Sequence, residues 1–179
     1  DDRRGERLAG AEEPVDRLVA PLTAAHPEVV GLVHSVNDGV AEVTSGLPTR
    51  VVHGRDWIEE RVAGVTLRLS SAAFFQTNTR MTETLYARVA EAAGLDGNQV
   101  LYDLFAGVGS IGIALASGAQ EVVAIEIVEE AVADAERNAR ANGVANHTAI
   151  AGDVGVVLRE RKGALPEPGG RVHDHHQAE

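Results

Sequence analysis

Two carboxylates and a run of glycines carry what chemistry this chain could do. The stretch Val100 to Glu126 reads VLYDLFAGVGSIGIALASGAQEVVAIE. A short apolar run carries Asp103, passes through Ala106-Gly107-Val108-Gly109-Ser110, climbs a small-residue helix and re-emerges as a second apolar run, Val122 to Ile125, ended by Glu126. Strand, glycine turn, helix and strand in that order make half of a nucleotide-binding α/β unit. Gly107 and Gly109 let the backbone bend sharply and come close to a ligand, where a Cβ would block the approach. At the end of the second strand the Glu126 carboxylate can accept hydrogen bonds from two ribose hydroxyls. A nucleoside-containing cofactor is therefore expected.

Gly107, Gly109 and Gly112 also satisfy G-x-G-x-x-G, the dinucleotide fingerprint, so NAD has to be weighed. Asp103 decides the preference. A carboxylate so close before the first glycine repels a pyrophosphate and suits the cationic amino-acid end of S-adenosylmethionine. That methyl donor is the expected cofactor, and an NAD-linked oxidoreductase is the weaker alternative. The plainest alternative is a glycine turn that only packs helix against sheet.

The composition narrows the partners. A net charge of −11 over 179 residues argues against a broad basic surface, so RNA or DNA binding by this chain alone is expected to be weak or absent. The sequence has no cysteine, which removes disulfides, thiolate metal sites and cysteine nucleophiles together. No apolar run approaches bilayer length, and DDRRGER lacks a following apolar segment, so a cytoplasmic protein without a membrane partner is expected. His173, Asp174, His175 and His176 read as a flexible terminal tract, and no metal site is expected.

The elements that must position these residues fall in four stretches. Residues 1–13 are charged and aperiodic, and a disordered lead-in is expected. Residues 14–73 read as a small, mostly antiparallel α+β central domain: a helix from Pro14 to Ala25, strands Val29 to Val36, Val40 to Thr44 and Arg50 to His53, a mixed-charge connector Gly54 to Arg61, and a strand Val65 to Leu69. Residues 74–161 read as the N-terminal half of a Rossmann-like domain with three parallel strands. Its predicted helices are Thr79 to Ala93, with Met81, Leu85, Val89 and Ala92 on one face, Val128 to Ala141, with Val128, Ala131, Val132 and Ala135 inward, and a short one ending at Arg161; the third strand, His147 to Ala151, is tipped by Asp153. From residue 162 to 179, Gly, Pro and charge predict no packed structure.

SAAFFQTN, then DLFAGVGSIGIALA, then AIEIVEEAVADAERNARANGV resemble, in that order, the uracil-5-methyltransferases of ribosomal and transfer RNA. GRDWIEERVAGVTLRLSSAAFFQTN is similar to the connection those enzymes place before their cofactor domain, and PEVVGLVHSVND to their central-domain strand. The resemblance covers about residues 14 to 160. It implies that Gln76 faces the methionine end of the donor, that Phe105 lies beside the glycine loop, that Glu126 binds the ribose and that Asp153 reaches the adenine edge. An amide donor, a ring face and two acceptors suit those tasks. Read without the resemblance, Gln76 could cap the next helix, Phe105 could be core, and Asp153 could be a helix N-cap.

The resemblance also implies a mechanism. Uracil C5 is a poor nucleophile, so these enzymes add a cysteine thiolate to C6, and the resulting enolate attacks the sulfonium methyl before a carboxylate removes the C5 proton. In the family both groups lie in later strands, near Asp-Pro-Pro-Arg and Ser-Cys-Asn segments, and neither segment occurs here. The expectation is the donor-binding portion of such an enzyme, which would act on rRNA or tRNA when intact and is inactive alone. The rival expectation is a non-catalytic truncated paralogue that binds donor or a partner.

Overall fold

The computed structural model describes residues 2–37, 47, 49–71, 73, 75 and 78–167, with the backbone alone over 2–13. The chain divides into two compact units, Asp1–Ile58 with Ser70–Ala72, and Glu59–Leu69 with Ala73–Glu179.

In the first unit a helix, α1 (Asp2–Ala25), precedes two strands, β1 (Gly31–Ser35) and β2 (Thr49–Gly54). The helix begins at Asp2 rather than Pro14, because the aperiodic Arg, Glu, Leu and Ala of the first residues are good helix formers even without an apolar stripe. The strands pair antiparallel, with a register shift between Leu32 and Val33. Arg50 of β2 reaches Asp16 of α1 at 2.8 Å, and the Arg55 guanidinium lies 3.9 Å from the centre of the Trp57 ring. The strand expected at Val40 to Thr44 lies outside the described residues.

Among its described residues the second unit is built on a hairpin, a parallel sheet, four α-helices and one 3-10 turn, Ala116–Gly118. Strands β3 (Trp57–Val62) and β4 (Val65–Ser70) form the hairpin, their outer ends counted with the first unit. Ala63 and Gly64 make its two-residue turn with φ of 48° and 83°, the left-handed conformations that such tight hairpins need. The connector expected over Gly54 to Arg61 is therefore corrected to strand. Its charges hid the alternation, since the half-buried Glu60 is satisfied by the Thr79 hydroxyl at 2.9 Å while Glu59 and Arg61 face water.

Helix α2 (Thr79–Ala93) starts where the Asn78 side chain accepts the Met81 amide and stops at Gly94, in the left-handed region. Its bounds match the expectation, but the expected apolar face is not the one it buries. Met81 and Leu85 are exposed, whereas Thr82 and Tyr86 are buried. Both polar groups are satisfied locally, Thr82 by the Asn78 carbonyl and Tyr86 by Ser110, so hydropathy pointed to the wrong stripe.

The sheet runs β5 (Val100–Leu104), β6 (Glu121–Glu126), β7 (His147–Ala151), all parallel, in the order β5-β6-β7. Between and after the strands come α3 (Ser110–Leu115), α4 (Glu129–Ala141) and α5 (Val154–Glu160). Central β6 is covered on both faces, so Val122, Val123, Ala124 and Ile125 are all buried and read as an unbroken apolar run. Burying each of the larger of these contributes roughly 1.5–3 kcal/mol. On one face Val123, Ile125, Ile150 and Val157 cluster; elsewhere the hairpin's Val62, Leu67 and Leu69 pack with Tyr86, Val108, Ile113 and Ala139. Beyond α5 the expectation of no packed structure from residue 162 is corrected for Leu165 and Pro166. Leu165 packs on the Val123 cluster, and the Tyr102 hydroxyl donates to the Pro166 carbonyl at 2.6 Å. Among the described residues no helix is long and apolar enough to cross a membrane.

Candidate functional site

Three parallel strands end side by side, and their tips gather most of the residues singled out in the sequence. The turn after β5 is closed by Ala106 donating to Ile125 and Gly109 to Ala106, at 3.1 and 2.9 Å. Gly107 and Gly109 have φ of 54° and 75°. A Cβ at Gly107 would meet open space, so this glycine is needed for its conformation and leaves one side of the turn uncovered. A Cβ at Gly112 would stand 2.9 Å from Val122 and 3.0 Å from the Asp103 carboxylate, which makes that glycine a spacer for close helix-to-sheet packing.

Asp103 is buried at 8% exposure, and its Oδ2 accepts the Gly112 amide at 2.8 Å. Gly112 is an early residue of α3 whose N–H has no helical partner, so the carboxylate fastens α3 to β5. Burial pushes the Asp103 carboxyl up to about 7; the Gly112 bond opposes that shift and the Glu126 charge adds to it. Through this oxygen Asp103 serves as an internal anchor for α3.

Glu126 behaves differently. Its two oxygens accept the Gly107 and Val128 amides, each at 2.9 Å, so the carboxylate is held at the tip of β6 against the open turn. An exposed apolar residue follows each of the two neighbouring strand ends: Phe105, directly after β5, 62% exposed with φ of 61°, and Ile127, directly after Glu126, 63% exposed. At 62% exposure and on left-handed backbone, Phe105 is not buried, so the reading of Phe105 as core does not hold. The Gly152 amide donates to the Glu126 carbonyl at 2.8 Å and brings Asp153 to the same edge. One Asp153 oxygen caps α5 by accepting the Val156 amide at 2.9 Å, which is the N-cap reading. Beneath the turn, both ring nitrogens of His147 are buried without a hydrogen-bond partner, and burial pulls this imidazole's pKa down against the opposing charge of Glu136.

The structure thus brings Phe105, Gly107, Gly109, Glu126 and Asp153 to one sheet end and puts Asp103 behind it. Gln76 lies outside the described residues, as do His173, His175 and His176. Among the described residues no cluster of His, Asp and Glu could hold a metal ion. Sequence reasoning passed over Ile127; the available signal was an exposed-loop position, directly after a strand-ending acid, filled by a large apolar residue.

Residues 59–164 match the TRM5/TYW2 methyltransferase domain family. An uncharacterized RNA methyltransferase of Enterococcus faecalis is 39% identical over 139 residues, covering 78% of this chain and 30% of that protein. The chain therefore spans about 30% of the length of such curated relatives. Among solved structures, wild-type Trm5b from Pyrococcus abyssi is similar at a TM-score of 0.55 and 28% identity, covering 74% of this chain and 39% of that one. The Pyrococcus abyssi tRNA (uracil-54, C5)-methyltransferase, solved with S-adenosyl-L-homocysteine, is similar at 0.53 and 28% identity, covering 68% and 30%. With its matched region taking in most of the hairpin, the glycine turn and strands β5, β6 and β7, the chain belongs to the TRM5/TYW2 methyltransferase domain family.

Proposed function

We propose that this chain is the donor-binding portion of an S-adenosylmethionine-dependent RNA methyltransferase, and that the intact protein methylates C5 of uridine in rRNA or tRNA. One observation carries the donor reading: Glu126 is held by two backbone amides beside the glycine turn, at a sheet end where exposed apolar residues follow both neighbouring strands. Those residues fit a nucleoside. Glu126 accepts from the ribose hydroxyls, Phe105 and Ile127 offer apolar walls, and the second Asp153 oxygen is available to an exocyclic amine. Gln76 is assigned to the carboxylate of the methionine end. Asp103 holds the turn in place from behind. The bound donor supplies an electrophilic methyl on sulfonium.

The uracil-5 part of the proposal is supported by the ordered run of SAAFFQTN, DLFAGVGSIGIALA and AIEIVEEAVADAERNARANGV. C5 chemistry needs a thiolate, and these 179 residues contain no cysteine, so the chain by itself is expected not to transfer methyl groups. The second reading, methylation of another base position, is favoured by the Trm5 likeness, whose identity of 28% equals that of the uracil-54 enzyme.

Calorimetry with S-adenosylhomocysteine tests the donor reading: saturable one-to-one binding that NAD does not displace is expected, and tighter binding of NAD would overturn it. Incubation with labelled donor and uridine-containing RNA tests the rest. No incorporation is expected from this chain, and 5-methyluridine is expected from the longer protein; N1-methylguanosine from the latter would support the second reading.

A further inference from the structure

Asn138 is buried to 1% exposure in α4 and uses both ends of its amide. Its Oδ1 accepts the Arg68 N–H at 2.8 Å, and its Nδ2 donates to the Arg68 carbonyl at 3.1 Å and to the Val108 carbonyl at 3.4 Å. One helical turn on, Asn142 repeats the first half of this pattern. Its Oδ1 accepts the Thr66 N–H at 2.9 Å and its Nδ2 donates to the Thr66 carbonyl at 2.7 Å. Thr66 and Arg68 are alternate residues of β4, so their N–H and C=O groups point the same way. Four residues of helix rise about 6 Å and two of strand about 6.7 Å, so Asn138 on α4 and Asn142 at its C-cap match that edge and stand in for a neighbouring strand.

The two side chains differ in one respect. Each has a third bond, but that of Asn142 stays within α4's own end, donated to the Asn138 carbonyl at 2.8 Å, whereas that of Asn138 goes to Val108, between Gly107 and Gly109. We propose that Asn138 is a positioning residue of the donor site, tying the glycine turn to the β3–β4 hairpin so that the turn keeps the bend that Glu126 faces. This rests on the reading of that turn as the donor site. Asn142 supplies the matching control, because it staples the same hairpin and leaves the turn alone. The hairpin packs in the same core as Val108, which is why a rigid reference is available there.

The test compares Asn138→Ser with Asn142→Ser in two readouts. The first needs no ligand: amide hydrogen exchange at Gly109, whose N–H is bonded to Ala106, should speed up about tenfold or more in Asn138→Ser and stay within about twofold in Asn142→Ser. Equal acceleration in both, or none in either, would overturn the proposal by reducing Asn138 to a second staple. The second readout is affinity for S-adenosylhomocysteine, expected to fall about tenfold in Asn138→Ser alone. If the unmutated chain binds no S-adenosylhomocysteine, the donor reading fails, and exchange at Gly109 still decides the positioning role. Should Asn138→Ser not fold, the unmutated chain serves: adding S-adenosylhomocysteine should shift the Asn138 side-chain NH2 resonances and leave those of Asn142 in place. A shift at Asn142 but not Asn138 would contradict the assignment.

Discussion

Asp103 and Glu126 are carboxylates at the ends of adjacent parallel strands, and the fold uses them in opposite ways. Asp103 is turned inward onto a helix amide and is pushed up to about 7 by burial. Glu126, one strand over, is clamped by two amides at the surface of the turn. The same residue class in neighbouring positions thus gives one group that shapes the site and one that can face a ligand. What separates them is the partner each finds: an orphan N–H inside α3 draws Asp103 in, while loop amides on either side of the tip hold Glu126 out.

Breaking this contrast at Asp103 should give the largest effect. Its folded-state value lies above its ordinary 3.8, so the folded form holds the proton more tightly. Stability from this group is fully present below about pH 4 and is lost as pH rises through about 7, a change of about 4 kcal/mol. Asp103→Asn keeps an acceptor for Gly112 and should flatten that dependence, leaving the variant at least as stable as the parent at pH 8 in urea unfolding. A pH profile unchanged by the substitution would remove Asp103 as the internal titrating group.

Glu126→Ala comes next. Two charge-assisted bonds to ribose at about 1.5–3 kcal/mol each correspond to a loss of two or more orders of magnitude in S-adenosylhomocysteine affinity, read by calorimetry. Asp153→Ala should cost about 1 kcal/mol of stability through the lost cap of α5, seen as a lower denaturation midpoint. If it also weakens donor binding severalfold, the residue serves both roles; unchanged affinity leaves it a cap.

The smallest effect separates strained backbone that serves a ligand from strained backbone that does not. Ala63 and Phe105 are the non-glycine residues at positive φ among those described, one in the hairpin turn and one at the tip of β5. Ala63→Gly should raise stability by about 0.5 kcal/mol without changing affinity. Phe105→Gly should relieve similar strain yet weaken S-adenosylhomocysteine binding, and equal affinities for both variants would remove Phe105 from the site.

Much of the parallel half was legible in the sequence. Buried β6 and the capped α2 have one-dimensional signals, an apolar run and an Asn–Gly bracket; the bounds of α2 match, and β6 begins one residue before the apolar run, at Glu121. The hairpin was not, because β3 carries Glu59, Glu60 and Arg61 and its inward Glu60 is paid for by a hydroxyl from α2. The inner face of α2 was misread for the same reason: Tyr86 and Thr82 bury polar ends that meet partners 24 and 4 residues away. At the site, spacing located both strand tips but could not say which carboxylate turns in. That depends on the Gly112 amide, nine residues from Asp103 and visible only once α3 is laid on the sheet.

The most direct test titrates S-adenosylhomocysteine into Asp103→Asn and Glu126→Ala side by side. Retained affinity in Asp103→Asn, within about threefold, with no measurable binding to Glu126→Ala, is the predicted result. Binding that survives at Glu126→Ala and vanishes at Asp103→Asn would contradict the division of labour between the two strand tips.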